Sequence, residues 1–347
     1  MKFKFFVFAI SSLVVGCFSL HAQAAQRQQV RIVGSATVYP FVTAAAEQFG
    51  QAGDFRTPIV EATGTGGGFK LFCNGVGLHT ADMNNASRRI MPSERENCDK
   101  NGVKHIIELP IGYDGIVMAQ KKGAEPMNLN FKHLFMALAR DIPDANGTLM
   151  PNPYHTWREI DPALPNSEIR VYGPPPTSGT RDTFAELAME KGCAEFAGFA
   201  RAYPDEKTRK KKCHLLREDG KYVESGENYN IIVQKLISDP HALGIVGFGF
   251  YDENMAKIQA SRIAGITPTQ ESIAQGQYVL ARTLFVYAKG EHLPLVPGFL
   301  EFMEELTSEG AGGGDGYMNL NGLVPLNAQE RQKLQRTILG LRASRDK

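Results

Sequence analysis

Three times in this chain an apolar, extended run ends in Gly, Ser and Thr and passes into a helical pattern. The first junction is GSATVYP, residues 34–40, between QQVRIVGS and YPFVTAAAEQFG. The second is GTGGGF, residues 64–69, which follows TPIVEATG. The third is PPPTSGTRDTF, residues 174–184, which follows EIRVY and whose prolines stop a helix from starting early. Taken singly, each is a helix with a good N-cap. Taken together they constrain the fold, because ligands of open α/β sheets sit beyond the carboxyl ends of strands, where such loops gather. The first N–H groups of a helix have no internal partner and carry the positive end of its dipole. Glycine lets those groups approach a ligand, and Ser and Thr add hydroxyl donors, so the shared reading is an anion site.

The rest of the chain fits that architecture. Short extended runs alternate with helical stretches, which predicts an α/β fold with mainly parallel pairing. VKHIIELPIGYDGIVMAQ is long, apolar and broken by Pro110 and Gly112, as expected of a strand passing between domains. LNFKHLFMALAR and ENYNIIVQKLISD read as helices, LREDGKYVESG as a hairpin-like stretch, and LGIVGFGFY and LARTLFVYAK as strands. PGFLEFMEELTSEG and NAQERQKLQRTILGLR close the chain as helices. KTRKKK, residues 207–212, reads as a solvated helix face, and Trp157 as part of a packing cluster.

The start of the sequence reads as a secretory leader over residues 1–24: MKFK, the apolar FFVFAISSLVVG, then Ala22-Gln23-Ala24 as cleavage site. Val14-Val15-Gly16-Cys17 offers a rival lipoprotein box, with Cys17 as the lipidated residue, but the apolar stretch continues to Leu20 and favours the Ala-x-Ala site. The whole chain has 38 Lys+Arg and 37 Asp+Glu; losing Lys2 and Lys4 with the leader leaves 36 against 37. Bulk charge therefore gives no footprint for nucleic acid or membrane, and anion binding must be local. Of the five cysteines, Cys73, Cys98, Cys193 and Cys213 remain after Cys17. Three pairings are open, and proximity in sequence favours Cys73 with Cys98 and Cys193 with Cys213. No C-x-x-C, H-x-H or H-E-x-x-H occurs, so metal or redox chemistry has no motif behind it.

Other site candidates follow from charge. ASRRI, residues 86–90, sets Ser87 and Arg88 at the end of an extended segment, with Arg89 pointing away, and Arg181 follows Ser178-Gly179-Thr180 directly. Arginine suits an oxyanion through its bidentate geometry. GTGGGF lacks the Gly-Lys-Ser/Thr ending of a P-loop, and Phe69 stands where a G-x-G-x-x-G fingerprint needs its last Gly. About eight donors at roughly 1.5–3 kcal/mol each exceed the roughly 8 kcal/mol of micromolar binding after ordering costs.

Together the three loops, NASR and the SGT helix start resemble the phosphate-binding proteins of ABC transporters, of the type II periplasmic solute-binding fold. The resemblance spans the mature chain. It implies two α/β lobes, each a mixed sheet flanked by helices, joined by crossings near 111–120 and 278–288, with inorganic phosphate enclosed between them. One lobe would hold residues 25–112 and 286–347, the other 113–285. Ser35, Thr37, Val38, Thr65, Gly66, Ser87, Arg88, Ser178, Gly179, Thr180 and Arg181 would hold the anion. Some family members have Asp where Arg88 stands, and Arg and Asp ahead of the third loop where this chain has Pro174 and Pro176. The acceptor for a protonated phosphate oxygen would then be Asp114 or Asp182. The implied protein is an exported monomer that captures phosphate, needs no cofactor, and delivers its ligand to a membrane permease without catalysis. Two alternatives are a secreted phosphatase or esterase with Ser178 as nucleophile, and an extracellular surface or matrix protein on the same fold.

Overall fold

A computed structural model describes residues 27–345, apart from 177 and 227. The leader and the Cys17 lipidation box lie outside the described residues. Strands β1 (Arg31–Gly34), β2 (Ile59–Ala62) and β3 (Met83–Ala86) pair parallel in the order β2-β1-β3, with helices α1 (Tyr39–Gln51) and α2 (Thr65–Phe72) as the connections. Ile32 and Val33 are fully buried, and α1 packs Phe41, Val42, Ala45 and Phe49 inward at helical spacing.

The chain then enters β4 (Ile106–Lys121), sixteen residues long. Its first part, to Gly115, pairs antiparallel with a return strand, Ala281–Lys289, which also pairs with β3. Its last part, from Ile116, pairs with Leu243–Gly247 and Ile258–Ala260. Beyond these, Val171–Gly173 and Tyr222–Glu224 continue the sheet in parallel. The sheet is therefore parallel at its flanks and antiparallel in the middle, where the expectation of mainly parallel pairing does not hold. The reason is topological: a strand that leaves one half and another that returns must run in opposite directions. Ile116–Gln120 of β4 and the return strand from Leu284 on are continuously buried, as strands covered on both faces are.

LREDGKYVESG is not a hairpin. Only Tyr222–Glu224 is a strand, and it pairs with Val171–Gly173. The arm before the turn is drawn elsewhere by Arg217, which is buried and donates to the carbonyls of Ala137 and Tyr154 at 3.2 and 2.9 Å. LGIVGFGFY is a strand only to Gly247, after which Phe248–Glu253 is helical. KTRKKK lies on a helix, Glu206–Cys213, and Trp157 is fully buried. The disulfides are Cys73–Cys98 and Cys193–Cys213, closing spans of 25 and 20 residues. In the chain-entropy account each contributes about 3 kcal/mol.

A buried charge cluster fastens the lower edge of the first half. Asp82, fully buried at the entry to β3, accepts two hydrogen bonds from Arg27 at 2.6 Å and one from the Arg31 N–H at 2.7 Å. His292 Nδ1 lies 2.5 Å from its other face. Burial alone would raise the Asp82 pKa, but His292, Arg27 and the Arg31 N–H outweigh it and hold it below the ordinary 3.8. Lys289 donates to Thr80 Oγ1 and the Gly75 carbonyl, both at 2.7 Å, and burial holds its pKa down to about 8. Removing one partner from such a network leaves the others uncompensated. Asp82→Asn is expected to cost about 3–5 kcal/mol in urea unfolding at neutral pH. Because the folded carboxyl titrates below its ordinary value, its contribution is complete above that value and is lost as pH falls through the lowered one. A loss under about 1 kcal/mol would remove the cluster from the list of stabilising features.

Candidate functional site: a cleft at the ends of the strands

All three Gly/Ser/Thr junctions sit at carboxyl ends of parallel strands. The first and third face each other. A cavity of about 290 Å³ is lined by Thr37 from the first, by Ser178, Gly179 and Thr180 from the third, and by Asp114 of β4. Thr37 Oγ1 lies 3.4 Å from both the Gly179 carbonyl and Thr183 Oγ1. A Cβ on Gly179 would stand 3.0 Å from Thr37 Cα, so only glycine allows this approach without displacing the facing backbone.

The helix starts here are left open. Ser178 is the N-cap residue of the helix Gly179–Phe184, yet its side chain makes no cap hydrogen bond. The starts of α1, at Val38, and α2, at Gly64, have no side-chain cap either. Asn228 caps the helix whose first residue, Tyr229, lines the cavity, and Asn130, Thr156, Asp205, Thr269 and Ser308 cap theirs, while the starts at Phe196, Gly298 and Gly316 are uncapped as well. The cavity gains another helix start that sequence reasoning missed: Gly247, the N-cap of Phe248–Glu253, and Gly249 line it too. Its only sequence signal is the glycine pair in GFG, inside a run read as a strand.

The guanidinium next to this cavity is Arg282, which was also missed. Arg282 is the direct partner of Asp114 in the antiparallel pairing, so the two side chains share one face of the crossing strands. Its Nη2 donates to Thr183 Oγ1 at 2.6 Å and to Thr37 Oγ1 at 3.3 Å, its Nη1 pairs with Glu186, and its Nε is buried without a partner among the described residues. Thr183 in turn donates to Asp114 Oδ2 at 3.1 Å. Burial pushes the Asp114 pKa up, against the pull of Arg282, Thr183 and the Gly115 N–H. The signal available in sequence was a charge near the start of the apolar run LARTLFVYAK.

The other candidates lie elsewhere. Ser35 is buried, its N–H bonded to the Asn85 carbonyl at 2.9 Å, and Val38 is buried under α1. Thr65 and Ser87 join hydroxyls at 3.1 Å, tying the second junction to the end of β3. Arg88 is held by Glu94 in a bidentate pair, 2.9 and 2.8 Å, with Gly66 alongside. Arg89 points away and pairs with Glu108. Arg181 stacks on Tyr222 at 4.5 Å and, with Asp182, lines a separate hollow of about 270 Å³. Burial and the charge of Glu186 push the Asp182 pKa up. A larger hollow of about 570 Å³, around His133 and Arg158, receives none of the three junctions.

A model of the PBP superfamily domain matches residues 20–309. The chain belongs to that superfamily. Protein SphX of Synechococcus elongatus is 30% identical over 80% of this chain and 73% of its own length. The phosphate-binding protein PstS of Staphylococcus saprophyticus is 28% identical over 80% of this chain and 75% of its own. Among solved structures, a possible phosphate binding protein from Planctomyces limnophilus superposes with a TM-score of 0.70 at 25% identity, covering 90% of this chain and 98% of that one. An ABC-type phosphate transport receptor from Vibrio cholerae shares the fold, with a TM-score of 0.56 at 19% identity over 82% and 95% of the two chains. The architecture is the two-lobed α/β fold of these proteins.

A second close contact at the cavity has a glycine on each side. A Cβ on Gly249 would stand 2.3 Å from Gly322 Cα. Alanine favours a helix over glycine by about 0.8–1 kcal/mol, so lost compactness in Gly249→Ala would come from that clash. The variant is expected to show a larger radius of gyration in small-angle scattering. An unchanged radius would mean that the clash is relieved locally.

Proposed function

We propose that the chain is an exported receptor that captures inorganic phosphate in the 290 Å³ cleft and delivers it to an ABC permease. One observation carries the reading: three of the helix starts bordering this cleft, at Val38, Ser178 and Gly247, lack side-chain caps, although Ser178 could cap its own. Uncapped N–H groups at a helix start are an anion site, and the phosphate-binding relatives give the anion's class. Arg282 supplies the counter-charge. Ser178, Thr180 and Thr37 supply hydroxyls, Gly179 and Val38 backbone N–H groups, while the Thr65–Ser87 cluster with Ser35, Gly66 and Arg88 braces the first lobe. Asp114 is placed to accept the hydrogen of a protonated phosphate oxygen, which sulfate lacks; Asp182 and Arg181 face another hollow. Capture needs movement between lobes and no bond chemistry. Among the described residues no histidine is hydrogen-bonded to Ser178, as a hydrolase nucleophile would need. The protein works as a monomer outside the cytoplasm.

Calorimetric titration of the mature protein, stripped of carried-over ligand, tests this. One phosphate per chain should bind at micromolar affinity or tighter, with sulfate ignored. Arg282→Met should weaken phosphate about ten- to hundredfold, the worth of one hydrogen bond to a charged group at about 1.5–3 kcal/mol, while Arg181→Met changes little. Asp114→Asn should let sulfate bind. No phosphate heat in the wild type would refute the function. Full affinity in Arg282→Met would refute the site.

A further inference from the structure

The guanidinium assigned to the anion already has an anion on it. Arg282 Nη1 is ion-paired with Glu186, whose backbone belongs to the helical run that begins at Ser178. The two ends of this pair differ in freedom. The Arg282 side chain is 11% exposed and fixed by Thr183 and Thr37; the Glu186 side chain is 47% exposed and can turn into water without moving the backbone.

The helix is altered where Glu186 sits. Gly179–Phe184 is α-helical, Ala185–Met189 is a π-helical turn, and Glu190–Ala194 resumes the α form. The Glu190 N–H bonds to the Ala185 carbonyl, five residues back, which marks the wide turn. Such single wide turns are frequent at functional sites. Here the wide turn follows the Ser178 junction within two helical turns. Glu186 also makes itself felt at neighbouring charged groups. The Arg88 pKa is raised mainly by Glu94, with Glu186 adding to it, and Asp182 is pushed up by burial and then by Glu186. A carboxylate ion-paired with Arg282 beside the cleft occupies the electrostatic position of the expected ligand.

We infer that Glu186 is an internal latch: its carboxylate holds Arg282 when the cleft is empty, and the incoming phosphate must displace it. This rests on the receptor reading above. The latch sets affinity, since each capture exchanges one charged contact of Arg282 for another. It also keeps a buried guanidinium paired when no ligand is present, which an empty cleft otherwise would not do. Asp114 cannot serve this purpose, since its Oδ2 accepts from Thr183 and no ion pair joins it to Arg282.

The test is phosphate titration of the wild type, Glu186→Gln and Arg282→Met, with thermal melting as a check on folding. Glu186→Gln keeps the size of the side chain and removes the competing charge. It is expected to bind phosphate about five- to thirtyfold more tightly, the range between a half-exposed ion pair and a charged hydrogen bond. Equal or weaker binding by a folded Glu186→Gln, while Arg282→Met loses affinity, would overturn the latch and leave the receptor standing. Failure of both wild type and Glu186→Gln to bind phosphate would overturn the receptor, and the latch with it.

Discussion

The pairing of Arg282 with Asp114 across two antiparallel strands is the constraint on which the site depends. In the proposed receptor these strands join the lobes, so charges mounted on them would stay at the pivot as the lobes moved. A charged side chain on a moving lobe would approach and retreat from the ligand with closure. One on the pivot strand is positioned before the ligand arrives, and its geometry is fixed by sheet hydrogen bonds. Preorganisation of this kind lowers the ordering cost of binding. The loops then supply what must move: hydroxyls and helix starts from each lobe, meeting at Thr37 and Gly179.

Neutral and charged donors divide the work. Three uncapped helix starts and several hydroxyls present partial positive charge around the cavity, while among the described residues the guanidinium that reaches its lining, through Thr37, is that of Arg282. A cleft of several fixed cations would carry strong self-repulsion when empty and release an anion slowly. A cleft of dipoles plus one cation avoids the first difficulty. The carboxylates at its edge, Asp114 and Glu186, balance the cation that is there.

Much of this was legible in sequence, and the parts that were not share a cause. The three junctions could be read because Gly, Ser and Thr stand together at each one, within a few residues of the strand and helix they join. The disulfides followed from spacing. Arg282 could not be read in this way: its role depends on a cross-strand register with Asp114, 168 positions away in sequence, and no local pattern encodes that register. Arg88 and Arg181 looked better placed because they adjoin the junctions, but adjacency in sequence does not fix direction. Glu94 holds the one, and the face of Tyr222 holds the other. LREDGKYVESG failed as a hairpin for the same kind of reason, since Arg217 finds its carbonyl partners some 60 to 80 residues upstream.

The most direct test is a crystal structure of the mature protein grown with phosphate. The account predicts a tetrahedral anion bounded by Thr37, Ser178, Gly179 and Thr180, with a guanidinium nitrogen of Arg282 within about 3 Å of one oxygen, as charged hydrogen bonds require. An anion bound instead between Arg181 and Asp182, or on Arg88 without contact to Arg282, would contradict it.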